Sequence, residues 1–567
     1  MVQTASPTKT HFYKDEAVSQ RGMVATKHPV ATEAGTAMLE AGGNVVDAAV
    51  AACLAVGVVE PGSSGIGGGG YLTYQVGEEG GVVGFPMRAS KQASPTFYKT
   101  ADGGATGSFG WVPVEDDANI HGPRSIAVPG AVAGLTEAHK RLGRLPLKDV
   151  VEPAVRAARE GYSPDWYTLY SFGTTIDKLL AYRELRRIFL PGDSMPTGGA
   201  ESRTMLRQSE LSDVLESIGR DGAKAMYRSD ITSSLVAGIQ DEGGILTEDD
   251  FASYRPLVWD RGLEISYRGM TVRLPKYACA GPTSAMTLKL VQGFDLASMG
   301  HNSVEMLHAY ISSAQLAYAD RFRYFGDNTF VDVPWNGLLS DEYADRRRAG
   351  IGDSPPGWFS YGDPWKEEGR RPEEQLPASL PAIDNGTTHL CAMDGDGNAV
   401  SLTNTLMSGF GSGVVPKGTG VVMNNGMMWF DPLPGRVNSI EPGKAGLNNM
   451  TPALVLDGDG ARIAVGASGG RRITNCVTQL IIKMVDFGMG PQEAIDSSRV
   501  DSSNPWTTVD TGVDEATRSA LEARGHRLVV VGDGIARGFA SPVAIVHEKG
   551  EYRAGVDTFH SAYAAGL

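Results

Sequence analysis

The chain has 567 residues, too many for one small core, so two domains or one large intertwined unit are expected. Hydrophobic content of 41% and charged content of 21% are those of a soluble globular protein, and the 72 glycines call for many tight turns and close backbone approaches. A formal net charge of −15 argues against nucleic acid or an anionic membrane as partner, and no stretch reaches the roughly 18 apolar residues of a membrane span.

The first 22 residues, "MVQTASPTKTHFYKDEAVSQRG", carry no apolar leader, which places the chain in the cytoplasm as an expectation. Residues 28–62 read as two helices. Gly42-Gly43 stops the first, Asn44 caps the second and Pro61-Gly62 closes it. Ala and Val almost all round mark the second as buried. From Ser125 to Tyr254 the pattern is mainly helical, and 304–325 is a further helix capped by Ser303. Residues 353–384 are dense in Pro, Gly and charge and read as a mobile surface loop or linker. Beyond them short strands dominate. "THLCAMD" and "AVSLTNTL" flank Gly395-Asp396-Gly397, and "ALVLD" and "ARIAVGA" flank Gly458-Asp459-Gly460, as two hairpins. A helix at 472–488 and strands near 527–531 and 541–547 complete an α+β pattern.

Several motifs compete for the function. Gly65, Gly67 and Gly70 spell G-x-G-x-x-G, but a helix precedes them and a strand follows, the reverse of a dinucleotide site. The Asp394/Asp396 and Asp457/Asp459 turns lack calcium-loop spacing and a closing Glu. Cys53, Cys279, Cys391 and Cys476 form no CxxC pair and read as reduced and mostly buried, without a zinc site. "GASGG" at 466–470 matches a nucleophile elbow with Ser468, and His526, His547 and His560 follow it. The other reading of that stretch is a glycine-rich strand end offering free N–H groups, as an oxyanion hole requires.

"GTTH" at 386–389 points elsewhere. A threonine hydroxyl needs a base beside it, and the residue's own α-amine, with a pKa of about 7.7–8.0, would serve. That amine exists only once the bond between Gly386 and Thr387 is cut. With the hairpin turn centred on Asp396, Thr405 faces Thr387 across the ladder; a two-residue turn would bring in Asn404 instead.

"MVATKHPVATEAGTAMLEAGGNVVDAAVAA", "VEPGSSGIGGGGYL", "VPGAVAGLTEAHKRLGRLPLKDVVEPAVRAAREGY", "GGILTEDDFASY", "TTHLCAMDGDGNAVSLTNTL", "FGSGV", "LNNMTPALVL" and "GASGGRRI" occur in this order. Through them the chain resembles the gamma-glutamyltransferase family of N-terminal-nucleophile hydrolases over most of its length. The resemblance implies an αββα sandwich and a precursor that cleaves itself into a large segment, 1–386, and a small one, 387–567. It also implies Thr387 as nucleophile and its freed amine as base, Thr405 as supporting threonine and Gly469 and Gly470 as oxyanion-hole glycines. The substrate would be a small-molecule amide. No metal or organic cofactor is implied, and oligomeric state stays open.

The substrate-binding half departs from the family's pattern. Where the family has an Arg-Glu pair this chain has Pro86-Met87, with Arg88 two positions on as the candidate carboxylate binder. Met407 replaces the Asn that follows the supporting threonine. "NNGMMWF" replaces "NN[EQ]MDDF", keeping Asn425 but putting Gly426 and Trp429 at the polar positions. Asn448-Asn449 stands at the Ser-Ser pair. An α-amino acid head group carries two charges that need paired partners when desolvated. The expectation is therefore a threonine amidohydrolase or acyltransferase not specific for glutathione-like γ-glutamyl donors. A true gamma-glutamyltransferase, a Ser468 hydrolase and an uncleaved binding protein are the alternatives. Arg471 and Arg472 read as scaffold, and His389 needs no catalytic role.

Overall fold

Strands Gly386–Asp394 and Ala399–Met407 pair antiparallel in the middle of a seven-stranded sheet. Its order is Tyr563–Gly566, Gly22–Thr26, Gly386–Asp394, Ala399–Met407, Gly69–Val76, Glu79–Phe85, Leu257–Asp260. A second seven-stranded antiparallel sheet runs Ala17–Ser19, Glu551–Val556, Ser541–Glu548, Gly460–Ser468, Ala453–Asp457, Met270–Leu274, Leu263–Tyr267. The computed structural model describes residues 12–101, 112–198, 203–372, 376, 386–458, 460–532 and 538–567; Asp459 of the second turn, residues 377–384 of the Pro-rich stretch and the first eleven residues lie outside these.

Side chains alternate between the faces of a strand, and that alternation builds the layers. Met23, Ala25, Cys391, Met393 and Ala399 point from the first sheet into a core shared with Leu454, Leu456, Ala464, Val543 and Ile545 of the second. Val24, Leu390, Ala392, Val400 and Leu402 point the other way, onto helices Pro29–Glu40 and Val45–Val59. On the far side, Val455, Ile463, Val465, Ala544 and Val546 meet helices Gly281–Val291, Val304–Tyr324 and Arg472–Asp486. The result is the αββα sandwich. Both sheets mix strands from before and after Gly386, so the chain forms one intertwined unit.

The glycine run 67–70 serves this packing. A Cβ on Gly68 or Gly70 would lie 2.1 Å from the carbonyl oxygen of Thr405 or Thr403, and one on Gly67 would lie 2.2 Å from that of Val422. Only glycine lets strand Gly69–Val76 come this close to its neighbours.

The described part of the Pro-rich stretch, 353–372, is pinned rather than loose. Trp358 packs on Phe322, while Tyr361 and Trp365 pack on Tyr324, all along helix Val304–Tyr324. Tyr324 Oη donates to Gly362 O at 2.6 Å, and Arg346 pairs with Glu367. Aromatic residues spread without a period anchor it, which is why periodicity alone read it as free. Among the described residues no helix is long and apolar enough to cross a membrane.

Asp47 ties the buried helix to the rest. Its carboxylate accepts from Asn44 N at 2.9 Å and Arg144 N at 3.0 Å, with His139 Nε2 at 3.4 Å. Burial opposes its ionisation, but these contacts outweigh burial and hold the carboxyl below its ordinary range. Asp47→Ala is expected to cost about 3 kcal/mol in chemical denaturation at neutral pH. A depressed carboxyl stabilises above its unfolded pKa of about 3.9 and loses that contribution as pH falls through the lower folded value, so the gap to wild type should close in acid.

Candidate active site

The register pairs Thr387 with Thr405, because the loop at Gly395-Asp396-Gly397 has three residues and Asp394 N closes it on Asn398 O. A bulge then sets Gly386 opposite Met407. Met407 takes φ of +90°, strained for a side-chain-bearing residue, and its N–H donates to Thr405 Oγ1 at 2.8 Å. Thr405 donates its own hydroxyl proton to the Gly386 carbonyl oxygen. The two threonine hydroxyls lie 2.9 Å apart. A hydroxyl has one proton, and that of Thr405 is committed to Gly386, so Thr387 is the donor between them. Thr387 is 4% exposed and Thr405 fully buried. Gly386 cannot be replaced cheaply, since a Cβ there would lie 2.5 Å from Ser408 C and 2.6 Å from Ser408 O.

The facing sheet supplies the other half. Strand Gly460–Ser468 ends in Gly469, φ +135°, and Gly470, φ +62°, before helix Arg472–Asp486 begins. A Cβ on Gly469 would lie 2.8 Å from Ala540 Cα. The two N–H groups sit between the end of the ladder and the first helical turn, where regular structure provides no acceptor and anions are favoured. Arg472 braces this corner, donating to Gly469 O at 3.3 Å and Gly538 O at 2.5 Å. Arg471 is buried against Ser503 O and Asn504 Oδ1.

His389 couples the sheets. Its ring fills the space a Cβ on Gly466 would take, 2.1 Å from that position, and Nδ1 lies 2.9 Å from Thr403 Oγ1. Burial, with Lys27 nearby, pushes its pKa down to about 3, so the ring is neutral.

Between the hairpin end and the glycine corner lies a cavity of ≈ 420 Å³. Ser408, Ser468, Gly469, Tyr170, Phe559 and His560 are among its lining. Ser468 shares it with an Asp557–His560 pair whose Oδ1–Nδ1 distance is 2.9 Å. Even so, Ser468 Oγ bonds to Ser541 O at 3.5 Å, and among the described residues no histidine hydrogen-bonds it. His526 pairs with His308 at 2.8 Å and His547 stacks on Tyr552, so neither is the base of an elbow serine.

The positions expected from the sequence to bind substrate divide. Met407, Met427, Met428 and Trp429 form one buried cluster with Tyr71, Met87 and Phe430. Asn425 clamps Ser408, donating to its Oγ at 2.7 Å and accepting from its N at 3.1 Å. Asn448 donates to Tyr71 Oη and Ala278 O, and Asn449 accepts from buried Arg321. Arg88 turns to Gly443 O at 3.2 Å and to Asp327 at 3.6 Å. Sequence reasoning missed Lys27, Ser408, Asp557 and the aromatic cavity wall. Lys27 alone left a signal, a cation at an inward position after Met23 and Ala25. Among the described residues no group of His, Cys, Asp and Glu is placed to hold a metal, and all four cysteines are buried and unpaired.

Comparisons with known proteins show the family and the fold. A family model described as Gamma-glutamyltranspeptidase matches residues 31–567. The "Glutathione hydrolase proenzyme" of Bacillus subtilis (strain 168) is 30% identical over 573 residues, covering 100% of this chain and 95% of that one. The "Acylase ACY 1 proenzyme" of Pseudomonas sp. (strain SE83) is 32% identical, covering 91% of this chain and 88% of its own. The crystal structure of a cephalosporin acylase from Bacillus halodurans superposes with a TM-score of 0.85 at 27% identity, covering 100% and 99% of the two chains.

Proposed function

Because the chain belongs to the gamma-glutamyltranspeptidase family and is a self-processing N-terminal-nucleophile amidohydrolase or acyltransferase, we propose that Thr387 is its nucleophile and that its substrate is an amide without an α-amino acid head group. The carrying observation is the Thr387–Thr405–Gly386 chain of hydrogen bonds. In the precursor, Thr405 polarises the Gly386 carbonyl while Thr387 Oγ1 attacks its carbon. The C–N bond breaks, the acyl group passes to oxygen, and water hydrolyses the ester. Residues 1–386 leave as a carboxylate and the Thr387 amine is freed. That amine then takes the hydroxyl proton as Thr387 attacks a substrate amide and returns it to the departing amine. The Gly469 and Gly470 N–H groups hold the oxyanion. Water or an acceptor amine releases the acyl group.

The apolar cluster supports the substrate class. Trp429 is 4% exposed and its indole N–H has no hydrogen-bond partner among the described residues. It is a donor standing where the family motif carries a carboxylate, so an ammonium would go unpaired and an acceptor on the acyl chain would be welcomed. With Arg88 engaged by Asp327, carboxylate capture by that residue requires breaking an ion pair. The acylase names among the relatives accord with such a shift. On a panel of γ-glutamyl, glutaryl, oxamate and aromatic acyl amides, γ-glutamyl p-nitroanilide is expected to show kcat/KM at least about tenfold below the best amide lacking the α-amino group. The γ-glutamyl compound ranking first would overturn this substrate assignment.

A further inference from the structure

Lys27 is a buried cation that the proposed reaction does not use. It follows strand Gly22–Thr26, on the side where Met23 and Ala25 point between the sheets, and it is 1% exposed. Its ammonium reaches across to the second sheet, donating to Ser541 O at 3.4 Å and touching Ser541 Oγ. Ser541 is the ladder partner of Ser468, and Ser468 Oγ donates to the same Ser541 carbonyl at 3.5 Å. Gly469 and Gly470 come next in the chain. A lysine has only donors to offer, and a buried one is costly to keep where an apolar residue would pack.

We propose that Lys27 is a positioning residue for the oxyanion corner. It fixes the Ser468-Gly469-Gly470 turn through Ser541 and places positive charge behind the site where negative charge develops. Arg472 holds the same turn from the helix side. This rests on Thr387 being the nucleophile.

The groups around Lys27 set its titration. They are His389 on the next strand, Glu60 after the buried helix, Asp557 and His560 beyond strand Glu551–Val556, Lys14, Arg499 and Cys476. Burial pushes the Lys27 ammonium down to about 8 against the pull of Asp557 and Glu60. Burial raises Glu60 to about 7, and burial also holds His389 near about 3 and His560 near about 4. Lys14 is likewise lowered by burial to about 8, and only substitution separates it from Lys27.

The test is the pH profile of kcat for matured wild type, Lys27→Met and Lys27→Arg, each checked for cleavage by mass and for folding by melting temperature. In wild type kcat rises as the Thr387 amine deprotonates and falls above about pH 8 as Lys27 loses its charge. Lys27→Met is expected to lower kcat about tenfold with KM little changed and to lack the alkaline fall. Lys27→Arg is expected to recover most of kcat and move the fall above about pH 10. A wild-type profile flat from about pH 8 to about pH 10 overturns the proposal whether or not the variants mature. So does Lys27→Met with unchanged kcat, or an unmoved fall in Lys27→Arg. Thr387→Ala retaining turnover would instead overturn the nucleophile assignment, a separate failure.

Discussion

Thr387→Ala is expected to leave a single uncleaved 567-residue chain and to lower turnover at least about 10³-fold, measured as initial rate on the best amide of the panel. The substitution removes the proposed attacking oxygen from both reactions. In the precursor no other described hydroxyl is held both by Thr405 and beside the Gly386 carbonyl. In the mature protein the proposed base is the amine that cleavage exposes, so an uncleaved variant would lack base and nucleophile together. Thr387→Ser keeps the oxygen and should process and turn over, more slowly. Ser468→Ala should retain most activity, since the backbone pairing of residue 468 with Ser541 that holds the turn survives the loss of one long side-chain bond, and no histidine among the described residues hydrogen-bonds Ser468. Activity lost in Ser468→Ala and kept in Thr387→Ala would reverse the assignment.

The second large effect is expected at Gly386, through shape rather than chemistry. A Cβ there would sit within 3 Å of three backbone atoms of Ser408. Backbone cannot swing aside as a long side chain can, so Gly386→Ala must shift the strand and draw the carbonyl away from Thr405. A displacement of about 1 Å costs on the order of 10²-fold in rate, so maturation followed by gel over hours should slow by about that factor. Gly397→Ala is the control. Its φ is +81° with nothing within 4 Å, so it should cost about 1 kcal/mol of stability and leave the cleavage rate unchanged.

What the sequence made legible was local. The period of two and the Gly-Asp-Gly turn narrowed the partner of Thr387 to Thr405 or Asn404, and the three-residue loop closed by Asp394 N on Asn398 O selects Thr405. Asn44 and Ser303 cap their helices because capping needs only the adjacent residues. What it concealed was long-range. Arg88 meets Asp327, 239 positions away, and Lys27 meets Ser541, 514 away. No spacing rule connects such residues; stacking of the two sheets does. The Pro-rich stretch misled for a related reason, since Trp358, Tyr361 and Trp365 find their partners on a helix that local pattern does not reveal. The proposed substrate wall lay between these limits. Met407 and Trp429 could be placed from the motifs, but their burial with Tyr71 and Met87 in one apolar cluster emerged only from the fold.

Intact mass spectrometry of freshly purified protein tests the central claim most directly. Two fragments meeting at Gly386/Thr387, absent from a Thr387→Ala control, are predicted. A single uncleaved chain after prolonged incubation would contradict it, leaving Thr387 without the amine on which the proposed chemistry depends.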